Sequence, residues 1–277
     1  MLETLEIELG NELTAAKEAA YAAGEIIMKR YQEEYEVQEK LLDNGRIEEI
    51  VTEVDKEADN TIIRLLGEKF PEYGILTEES RDNEKRLEKD YVWIIDPIDG
   101  TQDFVEETGE FAVHIGLSYR DEAVLGVVYE PATDTMYFGV KGQGAFKEKE
   151  GLTQRLKVSD KSNLREAKVA LSRSSLTDKD MQDRLEDMDF AESQVIGSMG
   201  SKFAYIAEGR FDVYFSINPK SKEWDTCAPQ VILEEAGGKV TDMNGDALRY
   251  NKKDVYNREG VIASNNVMHE EVMRYIA

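Results

Sequence analysis

The stretch from Tyr91 to Phe104, YVWIIDPIDGTQDF, constrains the fold more than any other part of the chain. Its first five residues are apolar, and β-branched and aromatic side chains in such a run are typical of a buried strand. Pro97 lacks the amide hydrogen that a strand ladder needs, so we expect the strand to end at Asp96 and the chain to turn. The pattern therefore delivers Asp96 and Asp99 together at the end of a rigid strand.

Two neighbouring carboxylates repel each other, and a divalent cation with oxygen ligands is the usual remedy. Gly100 lets the backbone bend or approach a ligand closely, and Thr101 adds a hydroxyl and an amide before a possible helix start. The motif is equally compatible with a structural turn, because Asp, Pro and Gly are ordinary turn residues. A phosphatase with an aspartyl nucleophile fits poorly, since its paired Asp residues are two positions apart and not three. Partners elsewhere in the chain must decide between these readings.

Composition narrows the function classes. The chain has 277 residues, 41% of them hydrophobic, which is enough for a core in one large domain or two joined lobes. Its formal net charge of −24 argues against non-specific nucleic-acid binding, which needs clustered Lys and Arg. Most of these acids are expected to solvate the surface. An anionic substrate would need local positive charge, which bound cations can supply.

The cysteine content indicates a reducing compartment, and the histidine content indicates that any bound metal is a hard ion with oxygen ligands. Cys227 is the single cysteine, so no internal disulfide is possible and a cytoplasmic location is expected. The N-terminus carries no basic stretch followed by an apolar run, so we expect neither a signal peptide nor a membrane span. His114 and His269 are too few for a His-rich zinc site, which makes Mg²⁺ the better expectation.

Helices are predicted to precede a sheet in residues 1–157. Apolar spacing indicates amphipathic helices at 12–31 and 52–70, with a polar loop at 33–45 between them. Asp55 falls in the first turn of the second helix, where the helix dipole by itself explains a carboxylate. Strands are expected near 73–76, 91–96, 111–119, 123–130 and 135–139.

Residues 158–277 alternate short apolar runs with helix signals, which is typical of an α/β lobe. Strands are expected at 169–171, 195–196, 211–215, 239–240 and 261–263, and helices at 197–208 and 225–236. The sequence thus predicts an α+β lobe over 1–157 that carries most metal ligands. An α/β lobe over 158–277 would complete the substrate and metal site.

Four acidic side chains, Glu78, Asp96, Asp99 and Asp225, follow apolar runs or begin a helix. Each has a structural explanation alone; Asp225, for example, could serve as an N-cap. Ser- and Gly-rich helix starts at 172–175 and 197–202 suit phosphate groups. Taken together, these features suggest a metal-assisted phosphatase.

Three segments then resemble the motifs of the inositol monophosphatase superfamily: Glu78-Glu79-Ser80, Asp96 to Thr101, and Trp224 to Pro229. The resemblance spans about Leu13 to Asn265 and implies Mg²⁺-dependent, lithium-sensitive phosphomonoesterase activity on a layered αβαβα sandwich. Within the superfamily, Gly109-Glu110-Phe111 with Val113, and the run from Trp224 to Asp242, look most like the 3′(2′),5′-bisphosphate nucleotidases. Those enzymes convert adenosine 3′,5′-bisphosphate, a by-product of sulfate assimilation, to AMP and phosphate.

The resemblance also implies roles for single residues. Two or three Mg²⁺ ions would be held by Glu78, Asp96, Asp99, Asp225 and the carbonyl of Ile98. Glu79 would assist a further metal. Asp55 and Thr101, together with Glu78, would orient and deprotonate the attacking water. The implied substrate contacts are Gly100, Thr101, Ser172, Arg173, Ser198, Lys202 and Asp225.

Some alternatives stay open at this point. Lys202 is also compatible with a solvated helix lysine, and Ser175 stands where this family segment commonly carries His. An inositol monophosphatase or a fructose-1,6-bisphosphatase is the nearest rival activity. A non-catalytic cation-binding protein is less consistent, because cation binding alone does not need Asp55 and Thr101. The expected partner is a small phosphomonoester, with no nucleic acid and no membrane, and the expected state is a monomer or homodimer.

Overall fold

The fold is described from a computed structural model over residues 8–31, 33, 37–41, 47–82 and 84–276. The helices in this part of the chain are α1 (Gly10–Arg30), α2 (Glu53–Lys69), α3 (Thr101–Val105), α4 (Lys179–Met188), α5 (Met199–Ala207), α6 (Glu223–Glu235) and α7 (His269–Ile276). The strands up to Arg155 are β1 (Val37–Leu41), β2 (Ile47–Thr52), β3 (Gly74–Thr77), β4 (Tyr91–Asp99), β5 (Ala112–Tyr119), β6 (Glu122–Glu130), β7 (Thr135–Val140), β8 (Gly144–Lys149) and β9 (Leu152–Arg155). The later strands are β10 (Lys168–Leu171), β11 (Glu192–Val195), β12 (Val213–Ser216), β13 (Lys239–Thr241) and β14 (Val261–Ser264).

Strands β3 to β9 form a seven-stranded sheet in sequence order. Only the β3–β4 pair in it is parallel, and the other neighbours are antiparallel. Helices α1 and α2 cover one face of this sheet. Alanines line the buried side of α1, and their small side chains let the helix lie close to the apolar residues of β5 and β6.

A second, five-stranded sheet has the order β11-β10-β12-β14-β13. Helices α5 and α6 lie between the two sheets, where Phe203 and Ala228 share a core with Val128 of the first sheet and Val261 of the second. Helices α4 and α7 cover the outer face of the second sheet through Met181 and Val272. The five layers follow the order αβαβα, which confirms the predicted fold class.

Local predictions failed in three places. Strand β4 does not stop at Asp96 but continues to Asp99, because the ladder to β5 shifts register between these two residues and requires no amide hydrogen from Pro97. The predicted loop at 33–45 contains β1, while its residues 34–36 and 42–45 lie outside the described part. Helices α4 and α7 are not predicted from the sequence, because each is short, at 10 and 8 residues, and its apolar stripe repeats over few turns.

The strands of the first sheet end at Arg155 and those of the second begin at Lys168, on either side of the predicted lobe boundary. Because α6 packs in a core shared by both sheets, the division into two lobes stays a prediction. Among the described residues, no helix combines the length and apolar character needed to cross a bilayer.

The close approach of α6 to β6 yields a stability prediction. A Cβ atom added at Gly126 would lie 2.0 Å from the carbonyl oxygen of Ala228, a backbone atom that cannot turn away. Gly126→Ala should therefore lower the free energy of unfolding by about 3 kcal/mol or more, measured by urea unfolding. Gly67→Ala is the matched control, because its Cβ would meet only Ile75 at 3.9 Å inside a helix. It should be neutral or stabilise by about 0.5–1 kcal/mol. Equal stability of the two variants would contradict this packing.

Candidate active site

The predicted metal ligands line one open cavity of about 480 Å³. Strands β3 and β4 run parallel with Thr77 beside Ile95, so the next residues along each chain segment, Glu78 and Asp96, lie side by side. Asp225 reaches the same cavity from the first turn of α6. The full lining is Glu78, Asp96, Ile98, Asp99, Gly100, Thr101, Gln102, Asp103, Ser172, Arg173, Ser174, Gly197 and Asp225.

The turn after β4 is shaped by short local contacts. The amide of Ile98 donates to Asp96 Oδ1 at 3.1 Å, which holds the chain in the bulge. Gly100 has a φ of +96°, and a Cβ there would lie 2.9 Å from the carbonyl oxygen of Glu110. A residue with a side chain would be strained and crowded at this position, so the sequence requires glycine before Thr101.

Buried Asp55 and half-buried Thr101 form a pair at the cavity, which Thr101 lines. Thr101 Oγ1 donates to Asp55 Oδ1 at 3.0 Å, and the other carboxylate oxygen accepts the amide (2.8 Å) and the hydroxyl (2.6 Å) of Thr52. Burial raises the pKa of Asp55, and the hydrogen bonds from Thr52 and Thr101 oppose that rise. The helix cap thus fixes Asp55 in place and leaves one oxygen for Thr101.

Three polar groups converge on Asp99 Oδ2. Ser198 Oγ donates at 2.6 Å and the amide of Gly200 at 3.0 Å, both from the start of α5. His114 Nε2 lies 3.1 Å away, although the ring is not aligned for a hydrogen bond. Burial by itself would raise the pKa of Asp99, but His114 and then Lys202 and Ser198 outweigh it and lower the pKa to about 2. Hydrogen bonds from α5 therefore occupy Oδ2. Oδ1 takes part in none of these three contacts, so it is the Asp99 oxygen better placed to bind a cation.

At Asp96 and Asp225, favourable contacts do not outweigh burial and the charges of neighbouring carboxylates. Burial first, and then the charges of Glu78, Asp99 and Asp225, raise the pKa of Asp96 well above its usual value. Burial and the charge of Asp99 raise the pKa of Asp225 to about 7. Repulsion between buried carboxylates is the condition that a divalent cation relieves, and the donors are the hard oxygens that Mg²⁺ prefers. The donor set therefore fits Mg²⁺ chemically.

The carboxylates are not gathered as they would be around a bound ion. Within the described ranges, no group of three or more His, Cys, Asp and Glu side chains is arranged to hold a metal. Lys222 holds two of them: its Nζ lies 3.3 Å from Glu78 Oε1, and its amide donates to Asp225 Oδ2 at 2.7 Å. Asp225 is therefore at the third helical position, bonded back to Lys222, and not at the N-cap as predicted. A cation would require small side-chain rotations in this cluster.

The predicted substrate-binding residues separate into two groups. Gly100, Thr101, Ser172, Arg173 and Asp225 line the cavity. Ser198 and Lys202 do not: Ser198 is fully buried against Asp99, and the Lys202 ammonium donates to the carbonyl oxygens of Gly197 (3.0 Å) and Ser198 (3.2 Å). Lys202 is not the solvated helix lysine of the alternative interpretation, because only 1% of the residue is exposed.

Several residues at or near the cavity were not predicted from the sequence, among them Lys222, His114 and Asp103. His114 is the strand partner of Asp96 in β5, which a register prediction for the hairpin-like β4–β5 pair could have revealed. Asp103 follows Thr101 by two positions and forms an ion pair with Arg173, whose guanidinium also lies 3.9 Å from Glu110. This ion pair joins α3 to the segment after β10 across the cavity.

Comparison with known proteins identifies the family. The model of the inositol monophosphatase family matches residues 9–277. The chain belongs to this family of phosphatases. The 3′(2′),5′-bisphosphate nucleotidase CysQ of Salmonella typhimurium is 35% identical over 211 residues, or 76% of this chain and 83% of that protein. Human inositol monophosphatase 2 is 35% identical over 243 residues, or 84% of this chain and 81% of that protein. The crystal structure of the extragenic suppressor protein suhB from Bartonella henselae superposes with a TM-score of 0.81 at 26% identity, covering 96% of this chain and 98% of that one.

The unrelieved charge on Asp96 leads to a prediction for the metal-free protein. Asp96→Asn removes the carboxylate that its neighbours repel, so in excess chelator it should raise the free energy of unfolding by about 1–3 kcal/mol. In excess Mg²⁺ the order should reverse, because the wild-type protein gains stability from a bound ligand and the variant gains less. Thermal unfolding in both buffers measures the effect. Asp183→Asn, on the exposed side of α4, is the control and should change neither. A variant less stable than wild type in chelator would contradict the repulsion.

Proposed function

We propose that the protein is a Mg²⁺-dependent phosphomonoesterase that hydrolyses its substrate with an activated water molecule. The observation that carries this proposal is one cavity lined by Glu78, Asp96, Asp99 and Asp225, with the Asp55–Thr101 pair at its edge. Carboxylates alone would serve to bind a cation. A hydroxyl bonded to a buried carboxylate beside them adds a group that can accept and pass on a proton.

The ligands that we propose for Mg²⁺ are Glu78, Asp96, Asp99, Asp225 and the carbonyl of Ile98, with Glu79 assisting a further ion. Bound divalent cations would supply Lewis-acid activation of water and neutralise charge on the departing oxygen. The proposed number of ions is two or three. Support comes from the oxygen donors and from the raised pKa values of Asp96 and Asp225.

In the proposed reaction, Thr101 and Asp55 act on the attacking water. Thr101 Oγ1 lies 3.0 Å from Asp55 Oδ1 and 3.1 Å from the carbonyl oxygen of Ile98. With its proton on the side of Asp55, the hydroxyl would accept a proton from water while its own proton moves to Asp55. The raised pKa of Asp55 favours that transfer. Glu78 would orient the same water, and the amides of Gly100 and Thr101 would bind phosphate oxygens.

The substrate that we propose is adenosine 3′,5′-bisphosphate, which makes the protein a 3′(2′),5′-bisphosphate nucleotidase. Arg173 supports this choice, since it is the one cationic side chain among the residues that line the cavity. Its ion pair with Asp103 holds the guanidinium at the rim, where a second phosphate could exchange with the carboxylate. The nucleotidase relative supports the same choice, while an equally similar inositol monophosphatase keeps that activity as the second candidate.

The water-activating role of Thr101 predicts a specific kinetic defect. Thr101→Ala should lower kcat about 100-fold to 10,000-fold and leave the Mg²⁺ concentration for half-maximal rate nearly unchanged, because the hydroxyl handles a proton and not a metal. Initial rates across a Mg²⁺ series measure both quantities. Thr61→Ala, whose hydroxyl bonds Glu57 inside α2, is the control and should behave as wild type. A variant that loses metal affinity with normal kcat at saturation would show that Thr101 is a metal contact.

Substrate choice is tested with a small panel of phosphomonoesters. Remote binding energy from the second phosphate should raise kcat/KM for adenosine 3′,5′-bisphosphate about tenfold to a thousandfold over 3′-AMP and inositol 1-phosphate. Arg173→Met should narrow that gap, whereas Arg165→Met, which removes an exposed guanidinium paired with Asp189, should not. Equal or better turnover of inositol 1-phosphate or fructose 1,6-bisphosphate would overturn the nucleotidase proposal and leave the phosphatase chemistry standing.

A further inference from the structure

Helix α2 carries a second buried carboxylate that the site described so far does not use. Asp59 is 1% exposed and lies one helical turn after Asp55. Both of its oxygens are engaged: Thr77 Oγ1 donates to Oδ1, and Ser80 Oγ donates to Oδ2 at 2.6 Å. Neither contact is local, because they connect α2 to the last residue of β3 and to the segment that follows it.

The two hydroxyl residues stand on either side of Glu78 and Glu79. Thr77 ends β3 and is held by the ladder to β4, and the amide of Glu78 donates to the carbonyl oxygen of Ile95 at 3.3 Å. Beyond that point the chain leaves the sheet, and Ser80 is an exposed residue three positions after the end of β3. A single carboxylate therefore ties together the residue before the Glu pair and the residue after it.

Helix α2 also contributes Asp55, the partner of Thr101 at the cavity. Residues four apart lie on one face of a helix, so Asp55 and Asp59 point towards the same side of α2. Asp55 accepts a hydrogen bond from Thr101, and Asp59 accepts hydrogen bonds from the ends of the Glu78–Glu79 turn. The cap at Thr52 anchors the first turn of this helix. Helix α2 thus sets the distance between the turn with Glu78 and the turn with Thr101.

A buried carboxylate with hydroxyl donors could also be purely structural, and burial does raise its pKa. What distinguishes Asp59 is where its partners lie, directly beside residues proposed as metal ligands. Groups that orient metal ligands through hydrogen bonds influence metal affinity strongly, commonly by 10-fold to 100-fold when removed. A structural carboxylate elsewhere in the fold would change stability and leave that affinity alone.

We propose that Asp59 is a positioning residue that holds the Glu78–Glu79 turn in the geometry needed to bind divalent cations. This inference rests on the proposed function. Its effect is exerted through Thr77 and Ser80, and Asp59 itself touches neither metal nor substrate. Removing its carboxylate frees the end of the turn at Ser80, and the glutamates then lose their fixed distance from Asp96.

The test measures Mn²⁺ binding to the purified protein from the loss of the free-ion electron paramagnetic resonance signal, which needs no turnover. Asp59→Ala should weaken binding at the site that depends on Glu78 by about 10-fold to 100-fold. Ser80→Ala, which deletes one of the two hydrogen bonds with little effect on folding, should weaken it by a smaller factor. Asp59→Asn retains one acceptor oxygen and should restore part of the affinity lost in Asp59→Ala.

Asp212→Asn is the matched control. Asp212 is also fully buried and accepts hydrogen bonds from Ser159 Oγ, from the amide of Lys168 and from the Lys161 ammonium. It directly precedes β12 of the second sheet and does not line the cavity. The Asp212→Asn variant should have a lower melting temperature than wild type and the same Mn²⁺ affinity.

Three results would overturn the inference, and they separate it from the proposed function. If wild type binds Mn²⁺ and Asp59→Asn and Ser80→Ala bind it equally well, the positioning role of Asp59 is wrong and the proposed function stands. The same holds if Asp212→Asn weakens binding as much as the Asp59 variants do. If wild type binds no Mn²⁺, the proposed function fails and the inference fails with it.

Discussion

Repulsion among four carboxylates, one buried and three half-buried, is the interaction on which the rest of this structure depends. Asp96, Asp99, Asp225 and Glu78 come from three different elements and meet in one cavity, where burial amplifies every charge. Bringing these carboxylates together costs electrostatic free energy, so other interactions in the fold must hold them in place. The parallel β3–β4 pair positions Glu78, and the bulge in β4 positions Asp96. The start of α5 holds Asp99, and the first turn of α6 holds Asp225.

The close packing of α6 is what allows the fold to impose this cluster. Asp225 can reach the end of β4 only because α6 lies directly on the first sheet. Glycines at the crossing make that approach possible: a Cβ at Gly116 would meet Cys227 Sγ at 2.6 Å, and one at Gly126 would meet the backbone of Ala228. The helix is buried between two sheets, so the position of Asp225 is determined by the core and not by a surface loop.

Much of this arrangement follows from local sequence patterns. Apolar spacing located the helices that contain Asp55 and Asp225, because burial on one face leaves a regular pattern. Short apolar runs located the strands that lead to Glu78 and to Asp96. The layered fold was predicted through the family resemblance and was confirmed. The lobe boundary and the roles of single site residues stay predictions.

Contacts between elements distant in sequence could not be predicted in this way. Pro97 was expected to end β4, yet a register shift that depends on β5 accommodates it. Ser198 and Lys202 were expected at the substrate, but α5 turns both inward, towards Asp99 and the loop carbonyls. Asp59 gave no signal apart from helical spacing, since its partners become neighbours only when β3 packs beside α2. Tertiary packing decided each of these positions.

The most direct test of the account is the location of bound metal in a crystal of this protein grown with Mn²⁺, read from the anomalous difference map. If this site holds the metal, we expect the strongest peaks among the carboxylates of Glu78, Asp96, Asp99 and Asp225. Asp55 and Thr101 should lie beside these peaks without coordinating the metal. A protein that hydrolyses phosphomonoesters in the same buffer yet shows its peaks elsewhere, or none within this cluster, would contradict it.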